Sequence, residues 1–455
     1  MSGAPVSTVL KFGGTSVEDA AAFRRVAEIV GARREARPVV VTSAMSRFTD
    51  ALMGAVRHAS DGRPEDALAG LVPHLERHAA VAAALLPAGD AARVEGVLEE
   101  AREELTGLLR IVAAHPGTRR ALADEVVSYG ERLSSRLLAE TLRAHGLPAR
   151  WVDARRCVRT DEENGRAAPL GALTVECTRA ELVPLLEEGG LPVLGGFIGS
   201  AASGATTTLG RGGSDYTAAL VGAALGAREI QVWTDVTGFL TADPRAVPEA
   251  RRIEHLSYEE AAELAFFGAK VLHPKTIQPA VERGIPVRIC NSREPEAGST
   301  RIDECVKPSP GGVRAIAHRA GVTVLRVSSA RMLGAYGFLR ALFEVLARHR
   351  TPVDVVTTSE VSVSLSLEDT GELEAIVQDL GTLGEVQVER GGAIVCVVGA
   401  GLRATPGVAA RVFDAVSGIN VGMISQGASS VNLTFVVEEG QVVEAVRRLH
   451  AEFFG

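Results

Sequence analysis

Lys11 ends an apolar run, Val9-Leu10, and is followed by Phe12 and by Gly13-Gly14-Thr15-Ser16. A lysine at a strand end, two bare glycines and two hydroxyls ahead of a helix suit an anion. The glycine amides can approach it, the hydroxyls can cap the helix, and the lysine adds a full charge. Two glycines after a strand equally make an ordinary strand-to-helix turn, so spacing alone leaves the chemistry open. The string is neither a G-x-x-x-x-G-K-[ST] loop nor a dinucleotide G-x-G-x-x-G. A second cluster reads Thr206-Thr207-Thr208-Leu209-Gly210-Arg211-Gly212-Gly213-Ser214-Asp215-Tyr216-Thr217. Its glycines expose amides, Arg211 offers a planar fork for a carboxylate, and Ser214 and Asp215 start a helix running to Leu225. A capped surface turn explains Ser214 and Asp215 but not the whole string.

The elements that must position these groups are visible as short apolar runs alternating with helical patterns. The runs are Thr8 to Leu10, Pro38 to Thr42, Ala149 to Val152, Leu191 to Leu194, Glu229 to Trp233 and Pro286 to Ile289. Such alternation predicts a mostly parallel sheet between helices. Asp50 to His145 is a helical insertion, broken at Pro87-Ala88-Gly89 and His115-Pro116-Gly117. His74 and His78 share one of its faces, and Glu76 and Arg77 beside them predict a solvated pair rather than a metal site.

At 455 residues the chain predicts two or three domains. The run Val306-Lys307-Pro308-Ser309-Pro310-Gly311-Gly312 reads as a linker. A repeat follows. Gly337-Phe338 opens a helix ahead of strands at Val353 to Val356 and Val361 to Leu365. Gly407-Val408 does the same ahead of Asn420 to Ile424 and Val431 to Phe435. A further helix closes each half, Gly371 to Leu380 and Gln441 to His450. On the repeat alone, an amino-acid sensor and a structural or dimerisation module are equal readings. The net charge of -8 argues against a nucleic-acid or membrane partner. The five scattered cysteines, the unremarkable N-terminus and the lack of a long apolar run predict a cytoplasmic protein with free thiols.

The two clusters resemble signatures of the aspartokinases, members of the amino-acid kinase family. Three further stretches agree: Val127-Ser128-Tyr129-Gly130-Glu131, Trp233 to Arg245 and Phe267 to Pro274. The resemblance implies a three-layer amino-acid kinase fold at 1–305, a linker at 306–317 and two ferredoxin-like ACT domains at 318–390 and 391–455, with boundaries open to being discontinuous. It implies ATP with Mg2+, the ion held mostly by phosphates and water with no protein metal ligands. The implied reaction phosphorylates the side-chain carboxylate of L-aspartate, the first step toward lysine, threonine and methionine.

By the same resemblance Lys11, Asp215 and Arg211 are catalytic. Ser43, Thr49, Glu131, Arg211 and Ser214 hold aspartate, with Arg211 on its α-carboxylate and Glu131 on its ammonium. Lys11, Phe12, Gly13, Gly14, Thr234, Asp235, Leu240, Arg245 and Lys270 hold the nucleotide. Leu240 stands where the family commonly has tyrosine. Without the motif, Glu131 would be a surface carboxylate. Lysine is the implied effector, bound at a dimer interface by Met332, Leu339, Val353, Asp354, Thr358, Ser359 and Glu360. Ala335 and Pro352 replace serines of lysine-sensitive relatives. A homodimer or homotetramer through the ACT domains is expected, with no fused homoserine dehydrogenase. Glutamate or carbamate kinases are disfavoured by the Glu131 and Arg211 pair together with the ACT tail, and a non-catalytic regulator by the presence of Lys11, Arg211, Asp215 and Lys270.

Overall fold

A computed structural model describes residues 7–268, 271–304, 312–334, 336–368 and 371–455. The chain divides into two compact units, Met1–Gly238 with Val271–Glu304, and Phe239–Lys270 with Cys305–Gly455.

The first unit is built on β1 (Thr8–Phe12), β2 (Pro38–Thr42), β3 (Ala149–Val152), β4 (Leu191–Gly195), a β5 and β6 hairpin (Ile198–Ser200, Thr206–Thr208) and β7 (Glu229–Thr234). β8 (His255–Ser257) falls in the second unit, and β9 (Val287–Asn291) and β10 (Ser299–Asp303) return to the first. The parallel strands run β3-β4-β2-β1-β7-β9, with β10 antiparallel beside β9. β1, β2 and β4 are buried at every residue, as strands covered on both faces must be. Each of the six parallel strands overlaps its expected run, whereas β5, β6, β8 and β10 answer to none.

Its helices are α1 (Ala20–Gly31), α2 (Phe48–Ser60), α3 (Pro64–Leu85), α4 (Ala88–Ala114), α5 (Arg119–Ala144), α6 (Ala154–Cys157), α7 (Gly171–Glu187) and α8 (Gly213–Leu225). The helical insertion is α2 to α5, with its breaks at Pro87 and His115 as expected. His78 departs from expectation. It is fully buried, with its ring centroid 5.1 Å from that of Phe48, so it packs in the insertion's core rather than in solvent.

The second unit contains α9 (Tyr258–Phe267) and a six-stranded antiparallel sheet, and α10 (Gln278–Val281) belongs to the first unit. The sheet strands are β11 (Ala315–Ser328), β12 (Val356–Thr358), β13 (Ser362–Glu368), β14 (Glu385–Val398), β15 (Met423–Gln426) and β16 (Asn432–Glu438), in the order β12-β13-β11-β14-β16-β15. Helices α11 (Phe338–Arg348), α12 (Leu373–Leu380), α13 (Val408–Ala415) and α14 (Val442–Phe454) complete two repeats. Gly337 and Gly407 open α11 and α13 with the same φ of 84°, which accounts for a glycine at both places.

The two cores do not follow contiguous spans. One gathers Leu325, Val327, α11, α12 and β13. The other takes Val313 and Ile316 with α13, α14 and β16, and adds Ala242, Ala246 and Val247 from the 239–270 segment. β11 and β14, 14 residues each, contribute to both cores and shift register against each other near Val322. The strand expected from Val353 starts only at Val356. Lys270, Ala335 and residues 306–311 of the linker expected at 306–317 lie outside the described residues, and the end of that span, from Ala315, already belongs to β11.

Candidate active site

The C-terminal ends of β1 and β2, the start of α2, the middle of α5 and the start of α8 surround a cavity of about 910 Å³. Lys11, Gly13, Gly14, Ser43, Thr49, Glu131, Arg211, Ser214, Asp215, Thr234 and Asp235 all line it. Residues from five separate stretches of sequence therefore meet at one place, beyond the carboxyl ends of parallel strands, where open α/β sheets bind ligands.

Lys11 and Asp215 form its charged centre. Lys11 Nζ lies 2.6 Å from Asp215 Oδ1, and both side chains are largely buried. Strand alternation sends Lys11 to the cavity and Phe12 to the core, where its ring packs 6.1 Å from Trp233. Phe12 is thus placed as a wall behind the site rather than as a lining side chain. Gly13 is also corrected, since its amide donates to Trp233 O at 3.0 Å and is not free for an anion. The amides opening the short 3-10 turn Gly14–Val17 carry that capacity instead. Ser16 does not cap the following helix. It donates to Ser292 Oγ at 2.8 Å, while Asp19 caps α1 by accepting from the Ala22 amide.

Arg211 sits between Gly210 and Gly212, both at φ 74°, a backbone that glycine alone adopts freely. Gly212 caps α8, and a Cβ there would also lie 2.7 Å from Thr276 Cγ2. The guanidinium is left exposed to the cavity, and Asp215 falls in the first turn of α8, where the helix dipole favours a negative charge.

Glu131 is the reverse of a surface carboxylate, being only 3% exposed. Oε1 accepts from the Ala44 amide at 3.2 Å, and Oε2 is buried without a partner. Burial pushes its pKa up to about 8, against the ordinary 4.5. The loop carrying Ser43 and Thr49 reaches α5 because Gly130 has no side chain, since a Cβ there would meet Ala44 Cβ at 2.8 Å. Ser134 Oγ ties the same loop down, donating to Ser43 O at 2.7 Å.

One residue of the wall escaped the sequence reading. Asp124 is buried two turns before Glu131 on α5 and accepts from the Gly165 amide, the Thr208 amide and Thr208 Oγ1 at 2.9 to 3.1 Å. It anchors β6, which leads directly into the Gly210 to Gly213 turn. The i, i+7 spacing of two acids on one helix face was the available signal.

Leu240 and Arg245 belong to the second unit. Leu240 is half-buried and bridges Arg252, while Arg245 is held by Asp243 at 2.7 Å with its side chain 90% exposed. Of the regulatory set, Met332 ends a 3-10 turn, Leu339 is in the first turn of α11, and Thr358, Ser359 and Glu360 form the β12 to β13 turn. Val353 and Asp354 precede β12. Asp354 does not present an unmatched charge, since Arg319 pairs with it and Glu368 lies 3.1 Å from the same guanidinium.

The cavity offers a lysine and helix-start amides to a phosphoryl group, and an arginine and a buried carboxylate to the two charged ends of an amino acid. Residues 7–291 match the amino acid kinase family and 395–453 an ACT domain. Lysine-sensitive aspartokinase 3 of Escherichia coli is 41% identical, covering 98% of this chain and 99% of that protein. Aspartokinase 3 of Arabidopsis thaliana, a chloroplastic protein, is 38% identical over 99% of this chain and 82% of its own. The structure of E. coli aspartokinase III with aspartate and ADP superposes with a TM-score of 0.84 at 40% identity, covering 99% and 100% of the two chains. The same enzyme with lysine and aspartate gives the same figures. The chain belongs to the aspartokinases of the amino acid kinase family.

Proposed function

We propose that the chain is an aspartate 4-kinase, transferring the γ-phosphoryl group of ATP to the side-chain carboxylate of L-aspartate. The observation that carries this reading is the buried Oε2 of Glu131, without a partner and in the same cavity as Arg211 and the Lys11–Asp215 pair. A carboxylate and a guanidinium at one end of a site suit the ammonium and α-carboxylate of an amino acid, leaving its side chain to reach the phosphoryl donor.

The substrate carboxylate is already ionised, so no general base is needed. An aspartate side-chain oxygen bonds to the γ-phosphorus while the bond from that phosphorus to the bridging oxygen breaks, and ADP departs with the electron pair. Catalysis is then positioning and charge neutralisation. Lys11 spreads positive charge onto the equatorial oxygens, and Asp215 holds the ammonium in place. Gly14 and Thr15 amides face the same charge. Ser43, Thr49 and Ser214 orient the substrate, and Thr234 and Asp235 border the nucleotide side, to which Leu240, Arg245 and Lys270 are assigned by resemblance alone. Mg2+ supplies further charge neutralisation when bound. Asp215 and Asp235 line the cavity and would help to orient an ion held mostly by phosphates and water.

Lysine is assigned as feedback effector at the first repeat, supported by the lysine-sensitive relative and its lysine complex. Assembly into a homodimer or homotetramer through the ACT repeats, and a cytoplasmic location, belong to the same reading; among the described residues no helix is long and apolar enough to cross a membrane. A coupled ADP-release assay with L-aspartate, L-glutamate and carbamate tests the reaction, and the reading requires turnover with aspartate alone. Arg211→Ala should raise the aspartate KM at least about tenfold with the ATP KM unchanged, as expected from losing a charge-assisted contact to one substrate. Equal damage to both would displace Arg211 from the α-carboxylate.

A further inference from the structure

A second cavity of the first unit shares no residue with that site. It measures about 540 Å³, within the roughly 300–1,000 Å³ of small-molecule pockets, and opens where α4, α5 and β3 meet. Leu98, Leu133 and Leu137 give it an apolar wall.

Its polar groups are unusual in what they lack. Arg136 is half-buried, with its guanidinium 4.4 Å over the Trp151 ring, and makes no ion pair among the described residues. Trp151 is fixed in turn by its indole N–H, which donates to Ser135 Oγ at 3.0 Å. A planar cation stacked on an indole and short of a counter-ion is a ready receptor for a carboxylate. The surroundings reinforce it. Four arginines and two glutamates line the cavity, in a chain whose net charge is -8. Arg93 and Arg143 both lie against Glu140, whereas neither Arg136 nor Arg150 makes an ion pair among the described residues.

His78 supplies a second recognition element. His78 borders the cavity, and its side chain is fully buried against Phe48. Nδ1 lies 2.7 Å from His74 O and so donates its proton there, which leaves Nε2 as a bare acceptor, and Nε2 has no partner. Burial holds the ring's pKa at about 4, so the acceptor persists at neutral pH. A buried acceptor of this kind costs stability unless a donor reaches it.

We propose that this cavity binds a small amphipathic carboxylic acid, with its carboxylate on Arg136, its apolar body between Trp151 and the leucine wall, and a hydroxyl donating to His78 Nε2. The ligand class follows from the three groups together: an anion receptor at one end, apolar walls between, and a neutral acceptor at the other.

Calorimetry on the full chain tests it with 4-hydroxyphenylacetate, phenylacetate and the neutral 2-(4-hydroxyphenyl)ethanol. The hydroxy acid should bind at one site. Loss of the hydroxyl should weaken binding about tenfold, and loss of the carboxylate more, as expected for neutral and charged hydrogen bonds. Arg136→Gln should erase the preference for the acid over the alcohol while leaving aspartate phosphorylation at the wild-type rate, which also reports an intact fold. Absence of binding, equal binding by Arg136→Gln, or competition by saturating L-aspartate would each overturn the proposal. Indifference to the hydroxyl would overturn the part played by His78.

Discussion

Glu131 carries the sharpest pH prediction. Its carboxyl is buried, with one oxygen on the Ala44 amide and the other bare, and burial pushes its pKa up to about 8. At neutral pH it is therefore mostly protonated, yet an aspartate ammonium pairs well only with the ionised form. The competent fraction is about one tenth near pH 7 and about one hundredth near pH 6, and apparent affinity scales with that fraction. Aspartate binding should weaken about tenfold for each pH unit below about pH 8 and level off above it, with ATP binding unaffected. Calorimetry of aspartate binding near pH 6.5, repeated in buffers of different ionisation enthalpy, should show about one proton released per site. Glu131→Gln should flatten the slope, losing most affinity at high pH and least at low pH. Aspartate affinity that is flat from about pH 6 to pH 8, with no proton release, would refute the argument, because either the carboxyl is already ionised before aspartate binds or it does not meet the ammonium. The same shift has a stability consequence. The folded state holds this proton between 4.5 and about 8 while the unfolded chain has lost it, so stability falls as pH rises through that window and is lowest, for this group, above it.

Lys11→Ala should lower turnover by on the order of 10²-fold or more, because a cation at the developing charge is removed; a near-normal rate in a correctly folded variant would unseat it from the phosphoryl group. Asp124→Ala should cost about 3 kcal/mol by stripping a buried anchor from Gly165 and Thr208, and should damage kcat and KM for both substrates, read by denaturant unfolding and steady-state kinetics. Unchanged unfolding would show that the anchor is dispensable. Glu360→Ala, at an exposed turn, should relieve lysine inhibition without lowering uninhibited activity. Calorimetry in which another amino acid binds and lysine does not would change the effector and leave the kinase reading standing.

Much of this protein was legible along the chain, and the reason is locality. Buried parallel strands read as unbroken runs of Val, Ile and Leu, so the six strands from β1 to β9 that make the parallel sheet could be placed to within a few residues. Pro87 and His115-Pro116-Gly117 mark real helix ends because proline and glycine act on their own backbone. Gly337 and Gly407 betrayed the repeat by requiring the same left-handed turn twice. The site signatures were legible too, since each positions its own residues within a single strand-to-helix turn.

What the tertiary structure decided involves partners far apart in the chain. Gly13 gives its amide to Trp233 and Ser16 its hydroxyl to Ser292, so neither does what its local context suggests. Asp124 becomes an anchor only when β6 arrives beside α5, and Glu131 acquires its raised pKa only when β4 and the Ser43 to Thr49 loop close over it. His78 reads as a solvated histidine until Phe48 and the insertion helices bury it. Asp354 reads as a free charge until β11 brings Arg319 to it. The 239–270 segment joins the second unit because its apolar residues find Val313 and Ile316, a preference no window of local sequence contains. Backbone geometry is written in neighbouring residues, whereas burial, ion pairing and proton affinity belong to the space those residues come to share.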